Sequence, residues 1–157
     1  MIILGLDPGS RVTGWGLIRQ SGAQAVYLAS GEIRPHRAAE LPERLADLTQ
    51  ALTALLRTHR PDCAALEQIF SAKSARSALV LGHARGALLA TLAGAALPIA
   101  EYSPAQVKQA VTGSGRADKQ QVQRMVAVLL NHRAQMTEDE SDALAVALTH
   151  GAARARG

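Results

Sequence analysis

The sequence contains little cysteine, and it has no segment of linker composition. Cys63 is the only cysteine among 157 residues, which excludes an internal disulfide and fits a reducing, cytoplasmic environment. No Gly/Ser-rich, Pro-rich or repeated tract divides the chain, so we expect one domain over residues 1–157. A chain of this length can bury a substantial hydrophobic core.

Long hydrophobic runs are also absent. The longest uncharged run, residues 86–100, has 15 residues and contains Pro98, whereas a membrane-spanning helix needs about 20. The N-terminal stretch "MIILGLDPGS" has no basic segment and carries Asp7, which is unlike a signal peptide. We therefore expect no membrane association. The net charge of +4 permits a nucleic-acid partner without requiring one.

The hydrophobic pattern predicts an α/β fold with the element order β-β-β-α-β-α-β-α-α-α. Three consecutive strands with short connections, near residues 1–7, 13–20 and 25–33, favour an antiparallel meander. Two further apolar segments, near residues 63–68 and 98–102, alternate with helical patterns and predict parallel strands joined by helices.

Three helix starts share a capping pattern. Ser103, Asp118 and Thr137 each stand three residues before a Gln or a Glu, which is the spacing of a capping box. The pattern predicts helices that begin directly after these residues.

The last of these helices begins in an acidic cluster. Glu140 is interpreted as the capping partner of Thr137, and Glu138 as pointing away from the core. Asp139 and Asp142 are three residues apart and share the helix face that also carries apolar residues. Taken alone, the cluster is better explained by solvated acids that complement the helix dipole.

Two other acids end predicted strands. Asp7 ends the first strand and Glu67 the fourth, and neighbouring strands would place them side by side where sites of α/β sheets lie. A helix packed on the sheet could bring Asp139 and Asp142 opposite them. Four converging carboxylates repel one another unless a cation lies among them. Oxygen ligands favour Mg²⁺ or Mn²⁺, and two such ions can act on a phosphodiester.

Five sequence blocks, in this order, resemble the RuvC Holliday junction resolvases: "GLDPGSRVTGWGLI", "ALEQIF", "SALVLGHARG", "QVKQAVTGSGRADKQQVQRMV" and "DESDALAVALTH". The resemblance implies a ribonuclease-H-like fold with a five-stranded mixed sheet flanked by helices. It implies a homodimer that works with the RuvA–RuvB complex and cuts four-way DNA junctions. Two symmetric nicks would leave 5′-phosphate and 3′-hydroxyl ends, with Mg²⁺ or Mn²⁺ as cofactor, two ions per site. The catalytic and metal-binding residues would be Asp7, Glu67, Asp139 and Asp142.

The resemblance also implies DNA-binding residues. Phe70 would stack on an unpaired base, although a hydrophobic contact with the following helix is the alternative. Ser74 stands where many members have Asn, which puts base preference in this segment in doubt. Without the resemblance, the lysines near helix starts would be interpreted as solvated. The DNA-binding set is Phe70, Lys73, Arg76, Lys108, Arg116 and Lys119.

Other functions remain open from the sequence. "LDPGS…TGWG" is similar to the phosphate-binding hairpin of the actin and sugar-kinase group, but that fold needs a second half for which 157 residues leave no room. We therefore expect no nucleotide cofactor. A non-catalytic junction-binding protein and a ribonuclease-H-like nuclease with another substrate are the remaining alternatives.

Several further residues have structural explanations. Gly82, Gly86 and Ala90 form a smooth helix face that could pack on the sheet or against a second copy of the chain. The histidines at 83, 132 and 150 are interpreted as packed or surface residues rather than ligands. Arg154 and Arg156 are expected in a disordered C-terminal tail without a role.

Overall fold

A computed structural model of the protein describes residues 1–9, 11–36, 40–68 and 74–155. The elements follow the predicted order. They are β1 (Ile2–Asp7), β2 (Thr13–Ser21), β3 (Gln24–Ile33), α1 (Leu41–His59), β4 (Cys63–Glu67), α2 (Ala75–Gly94), β5 (Ile99–Tyr102), α3 (Pro104–Thr112), α4 (Lys119–Leu129) and α5 (Glu138–Ala155).

The five strands form one mixed sheet in the order β3-β2-β1-β4-β5. The first three strands pair antiparallel through short turns, and β4 and β5 join them in parallel. Leu6 of β1 pairs with Leu66 of β4, so Asp7 and Glu67 follow paired residues and end their strands at the same edge. The mixed sheet predicted from the strand spacing is therefore confirmed.

Alternate residues of the central strands face two separate hydrophobic clusters. One face packs against α1 and α2, where Leu52, Leu88 and Leu92 are fully buried. The other face packs against α3, α4 and α5. Within α5, every residue from Ala143 to Gly151 is buried, because this helix lies across β1 and β2 at the centre of the sheet.

Glycines in the central strands permit this close packing of α5. A Cβ atom at Gly5 would lie 2.0 Å from the carbonyl oxygen of Ala143, and one at Gly14 would lie 2.0 Å from that of Asp139. Side chains at these positions would push the helix away from the sheet. The glycines thus fix the height at which the acidic start of α5 sits above β1 and β2.

All three predicted capping boxes are present. In each, the side chain of the N-cap residue accepts a hydrogen bond from the backbone N–H three residues on, and the Gln or Glu side chain accepts one from the N-cap N–H. At α5, Glu140 Oε2 accepts from Thr137 N at 2.7 Å. Glu140 is therefore the capping partner, as predicted.

Helix α2 exposes its small-residue face. Gly82, Gly86 and Ala90 are exposed, and nothing lies within 4 Å of a Cβ atom at either glycine. Packing of this face on the sheet, one of the two alternatives, is therefore wrong for the single chain.

By length and composition alone, α2 could cross a membrane, but core helices share this property. Its buried Leu88 and Leu92 belong to the core beneath the sheet.

The C-terminal region departs from expectation in one respect. Arg154 lies in the last turn of α5 rather than in a tail, because the helix continues to Ala155. Arg156 lies outside the described residues.

His150 is buried, and its Nδ1 lies 2.8 Å from the Tyr102 hydroxyl. His132 packs against the Tyr27 ring, with a centroid separation of 4.2 Å. These two histidines are packed residues, as predicted.

Candidate active site

Two carboxylates stand at the edge of the sheet. Asp7 is the last residue of β1 and Glu67 the last residue of β4, and both are partly buried. The parallel pairing of these neighbouring strands carries the two side chains to the same edge. The two acids are therefore neighbours at this edge, as the strand ends predict, and the charge of Glu67 contributes to raising the pKa of Asp7.

Helix α5 brings two more acids to this edge. Asp139 and Asp142 lie in its first two turns, and both act electrostatically on Asp7. Lys119, at the start of α4, reaches the same place: its Nζ lies 3.1 Å from Asp142 Oδ2 and 3.0 Å from Glu138 Oε2. Glu138 is therefore closer to the site than predicted, although it is largely exposed.

The electrostatics show that negative charge is crowded here. Burial raises the pKa of Asp7 to about 7, with further contributions from Asp142, Glu67 and Asp139. Burial and then Asp142 raise the pKa of Glu67, against the lowering effect of Lys108 and Lys119. Carboxylates with raised pKa values in one cleft are typical of functional sites.

The two aspartates of α5 are affected in the same direction. Burial raises the pKa of Asp142, and the hydrogen bond and charge of Lys119 lower it in part. Burial, followed by the charges of Glu32 and Asp142, raises the pKa of Asp139. Burial lowers the pKa of Lys119, but its hydrogen bonds to Glu138 and Asp142 outweigh this and raise it. Lys119 thus stays protonated and partly neutralises the cluster.

A cavity of about 200 Å³ opens beside the acids. Its lining includes Glu67 and Asp142 together with Lys108 and Lys119, the two lysines predicted to bind DNA. Apolar residues of α3 to α5 form its floor. The cavity thus combines carboxylates with cations in a space that a phosphate group could enter.

The donor set suits a hard divalent cation. All four acids offer oxygen ligands, which Mg²⁺ and Mn²⁺ prefer, and a cation would relieve the repulsion that raises their pKa values. Among the described residues, no three His, Cys, Asp or Glu side chains are already gathered around one point as a metal site. In this arrangement the ammonium group of Lys119 supplies positive charge beside Oδ2 of Asp142.

The edge strand β3 contributes residues that sequence reasoning missed. Glu32 faces the start of α5, where its charge contributes to raising the pKa of Asp139, and its Oε2 accepts a hydrogen bond from Arg34 Nε at 2.7 Å. Ser30 Oγ donates to Glu140 Oε1 at 3.0 Å. The only sequence signal was the position of Glu32 near the end of a predicted strand.

A second missed residue holds Glu67 from the side of α2. Arg85 Nη1 donates a hydrogen bond to the Glu67 carbonyl oxygen at 3.1 Å, and its Nη2 forms an ion pair with Glu101. Arg85 therefore fixes the end of β4 at the point where the carboxylate leaves the sheet. The apolar pattern of the helix gave no indication of this contact.

The remaining DNA-binding candidates are spread around the site. Arg116 is exposed and lines a groove with Arg124 beyond α3. Arg76 is exposed in the first turn of α2. Neither lines the cavity between the acids and the lysines. Phe70 and Lys73 lie outside the described residues.

Comparison with known proteins identifies the family. The family model of "Crossover junction endodeoxyribonuclease RuvC" matches residues 3–150. This chain belongs to the RuvC family. The family member of Citrifermentans bemidjiense is 48% identical over 150 residues, covering 96% of this chain and 92% of its own. That of Halorhodospira halophila is 51% identical over 148 residues, covering 94% and 88%.

A solved RuvC structure agrees with the sequence comparison. Thermus thermophilus RuvC in complex with Holliday junction substrate is 31% identical, with a TM-score of 0.93, and the match covers 100% of this chain and 96% of that one. The resemblance drawn from the five sequence blocks and the ribonuclease-H-like fold expected from it are therefore confirmed. RuvC proteins are endodeoxyribonucleases by name, which is the enzyme class that the acidic site indicates.

Proposed function

We propose that this RuvC protein is an endonuclease that resolves four-way DNA junctions in recombination and repair. The observation that supports this most directly is the convergence of four acids at one sheet edge, Asp7, Glu67, Asp139 and Asp142, beside two lysines. Two symmetric hydrolytic nicks would leave 5′-phosphate and 3′-hydroxyl ends. The junction substrate follows from the family and from the junction complex of the Thermus thermophilus relative.

The four carboxylates are proposed to hold Mg²⁺ or Mn²⁺, two ions per site. When bound, such ions activate water and stabilise the leaving oxygen of a phosphodiester. Asp7 and Glu67 would hold them from the sheet, and Asp139 and Asp142 from α5. The raised pKa values of these acids support this assignment, because a site built to bind cations gathers negative charge that is unfavourable without them.

The lysines are proposed to position the DNA strand. Lys108 and Lys119 line the same cavity as Glu67 and Asp142, so a scissile phosphate placed there would be within reach of both cationic and metal-binding groups. Lys119 would move from Asp142 to the phosphate as metal and DNA enter. Phe70 is proposed to stack on an unpaired base beside the site, and Lys73, Arg76 and Arg116 to contact DNA phosphates.

Homodimerisation is part of the proposal, because two symmetric cuts require two sites related by a two-fold axis. The exposed face of α2 with Gly82, Gly86 and Ala90 supports it: helices with small residues can approach one another closely, and the large side chain of Leu79 is 65% exposed beside them. Partnership with the RuvA–RuvB complex is proposed from family membership.

A single domain over residues 1–157 and a cytoplasmic location complete the proposal. The two hydrophobic clusters pack on opposite faces of one sheet, which supports the single domain. The cytoplasmic location is supported by the free, buried thiol of Cys63.

A nicking assay tests the function. The substrate is a synthetic four-way junction, with a linear duplex and an RNA–DNA hybrid as controls, in Mg²⁺, in Mn²⁺ or in EDTA. Wild type is expected to cut only the junction and only with metal. Asp142→Asn is expected to bind the junction but to cut at least about 100-fold more slowly, because it loses one metal ligand. Asp47→Asn, which changes an exposed acid on α1, is the matched control.

The outcomes separate the alternatives. Junction binding without cleavage in either metal would make this chain a binding protein. Preferential cleavage of the hybrid would assign the site to another substrate. Full activity of Asp142→Asn would show that the acids at the start of α5 only stabilise the helix and that the catalytic residues lie elsewhere.

A further inference from the structure

A second cationic groove lies where the β1–β2 connection, the chain after β3 and the start of α1 meet. It has a volume of about 630 Å³ and is lined by Arg11, Val12, Arg34, Pro35 and Arg44. The three arginines come from separate segments: the β1–β2 connection, the chain just after β3, and the first turn of α1. The lining in the described part of the chain contains no acid, but Glu32, beside the groove, forms an ion pair with Arg34.

The sheet register fixes where this groove lies. Asp7 pairs with Gly14 across β1 and β2, and Gly14 pairs with Glu32 across β2 and β3. Arg11 precedes β2 and Arg34 follows β3, so both stand at the sheet edge that carries Asp7. The groove therefore belongs to the same end of the molecule as the carboxylates.

Glu32 connects the groove to the acidic site. Its carboxylate accepts a hydrogen bond from Arg34 Nε at 2.7 Å, and its charge acts on Asp139. Arg34 is thus held one side chain away from a proposed metal ligand. This contact gives the arginine a fixed position at the border between groove and acids.

Cations therefore flank the acids on two sides. Lys108 and Lys119 stand on the side of α3 and α4, whereas the arginines stand on the side of β3 and α1. A DNA strand that crosses the carboxylates would meet positive charge both before and after the scissile bond. Arginine suits this task because its planar guanidinium binds a phosphate through two parallel hydrogen bonds.

We propose that the groove of Arg11, Arg34 and Arg44 is a second DNA-phosphate site that grips the backbone away from the scissile bond. This inference rests on the proposed function, since it assumes that DNA crosses the acids. The ligand is a phosphodiester of the DNA strand, and the contact is independent of metal.

The test measures junction binding in EDTA, so that cleavage does not intervene. The dissociation constant of a four-way junction is determined over a range of KCl concentrations for wild type and Arg11→Gln. Each lost phosphate contact lowers the slope of log K against log salt by about 0.9 and weakens binding at every salt concentration. We expect Arg11→Gln to lose about one such contact and about threefold to tenfold in affinity at low salt.

Two further variants make the test specific. Arg19→Gln removes an exposed arginine from β2 at the opposite end of the strand, where it pairs with Ile2, and is expected to keep the wild-type slope. Arg11→Lys keeps the positive charge but lacks the planar guanidinium that can form two parallel hydrogen bonds. It should therefore keep the slope and lose only part of the affinity. Thermal unfolding of each variant establishes that it is folded.

The inference is overturned if Arg11→Gln keeps the wild-type slope, or if Arg19→Gln lowers it equally. It is supported if only Arg11→Gln lowers the slope. The proposed function fails in a different way: wild type would then bind the junction in EDTA but not cut it with metal, and the slopes could still be compared.

Discussion

The backbone of Gly14 lies against the carbonyl of Asp139, so closely that a Cβ atom at position 14 would stand 2.0 Å from that oxygen. Gly14 also pairs with Asp7 in the sheet. One glycine therefore sets the distance between an acid of β1 and an acid of α5. The geometry of the site depends on the absence of a side chain at this position.

Gly14→Ala is expected to impair both stability and cleavage. The methyl group must displace backbone rather than a flexible side chain, which costs about 1–3 kcal/mol of unfolding free energy. Because a displacement of about 1 Å at a catalytic group can cost about 100-fold in rate, we expect a loss of cleavage of that order. Denaturant unfolding and the nicking assay measure the two effects.

Gly94→Ala is the control for this prediction. Nothing lies within 4 Å of a Cβ atom at Gly94, near the end of α2, so alanine should be neutral or stabilise the helix by about 0.5–1 kcal/mol. A Gly14→Ala protein with wild-type stability and rate would show that α5 can shift without affecting the site.

The raised pKa of Asp7 predicts a pH dependence of stability in the metal-free protein. Its pKa rises from 3.8 to about 7 on folding. Between these values the folded protein keeps a proton that the unfolded chain has lost, so the unfolding free energy falls as pH rises. The contribution is about 1.4 kcal/mol per pH unit, complete below about pH 4 and lost above about pH 7.

Asp7→Asn removes this dependence. In EDTA the variant should be more stable than wild type at pH 8, and the difference should shrink toward pH 5. Denaturant unfolding at several pH values measures it, with Asp47→Asn as an exposed control that follows wild type. A difference that stays constant from pH 5 to pH 8 would contradict the electrostatic crowding described for the site.

Arg85→Met is expected to loosen Glu67. The variant loses the donor to the Glu67 carbonyl oxygen and the ion pair with Glu101, which should cost about 1–3 kcal/mol of stability. Because the affected residue is a proposed metal ligand, kcat should fall and the required Mg²⁺ concentration should rise, with a smaller change in KM for the junction.

Glu101→Gln separates the two contacts of Arg85. It removes the charge of the partner but leaves the hydrogen bond to the Glu67 carbonyl, so we expect a smaller loss of kcat than in Arg85→Met. Equal losses in both variants would assign the effect to the ion pair and general stability rather than to the position of Glu67.

Ala90→Arg tests the proposed dimer. A long charged side chain on the exposed small-residue face of α2 should keep two helices apart, and the molar mass measured by light scattering should shift toward the monomer. Ala105→Arg, at an exposed position of α3, should leave the mass unchanged. A persistent Ala90→Arg dimer would exclude this face as the interface.

Local sequence patterns predicted most of the helices and strands, and they predicted the positions of two of the four acids at the site. The three capping boxes depend on residues three positions apart, so Ser103, Asp118 and Thr137 could be read directly from the sequence. The neighbouring positions of Asp7 and Glu67 follow from two apolar strands that each end in an acid. The resemblance to the RuvC family then added residue roles that spacing alone left open.

The contacts that the sequence did not predict depend on strand register and on the packing of helices against the sheet. Glu32 acts on Asp139 only because β3 pairs with β2 in one register, and a shift of one residue would turn its side chain to the other face. Arg85 reaches Glu67 across the space between α2 and the sheet. Such contacts have no fixed sequence separation, so no local pattern predicts them.

The position of α5 has a consequence for synthesis of the protein. Helices α3, α4 and α5, which cover one face of the sheet, all follow β5 in the chain. A nascent chain that has emerged as far as β5 holds only Asp7 and Glu67, and that face of its sheet is bare. Since domains are made from the N-terminus onward, the four proposed metal ligands come together only when this last helix docks on the sheet.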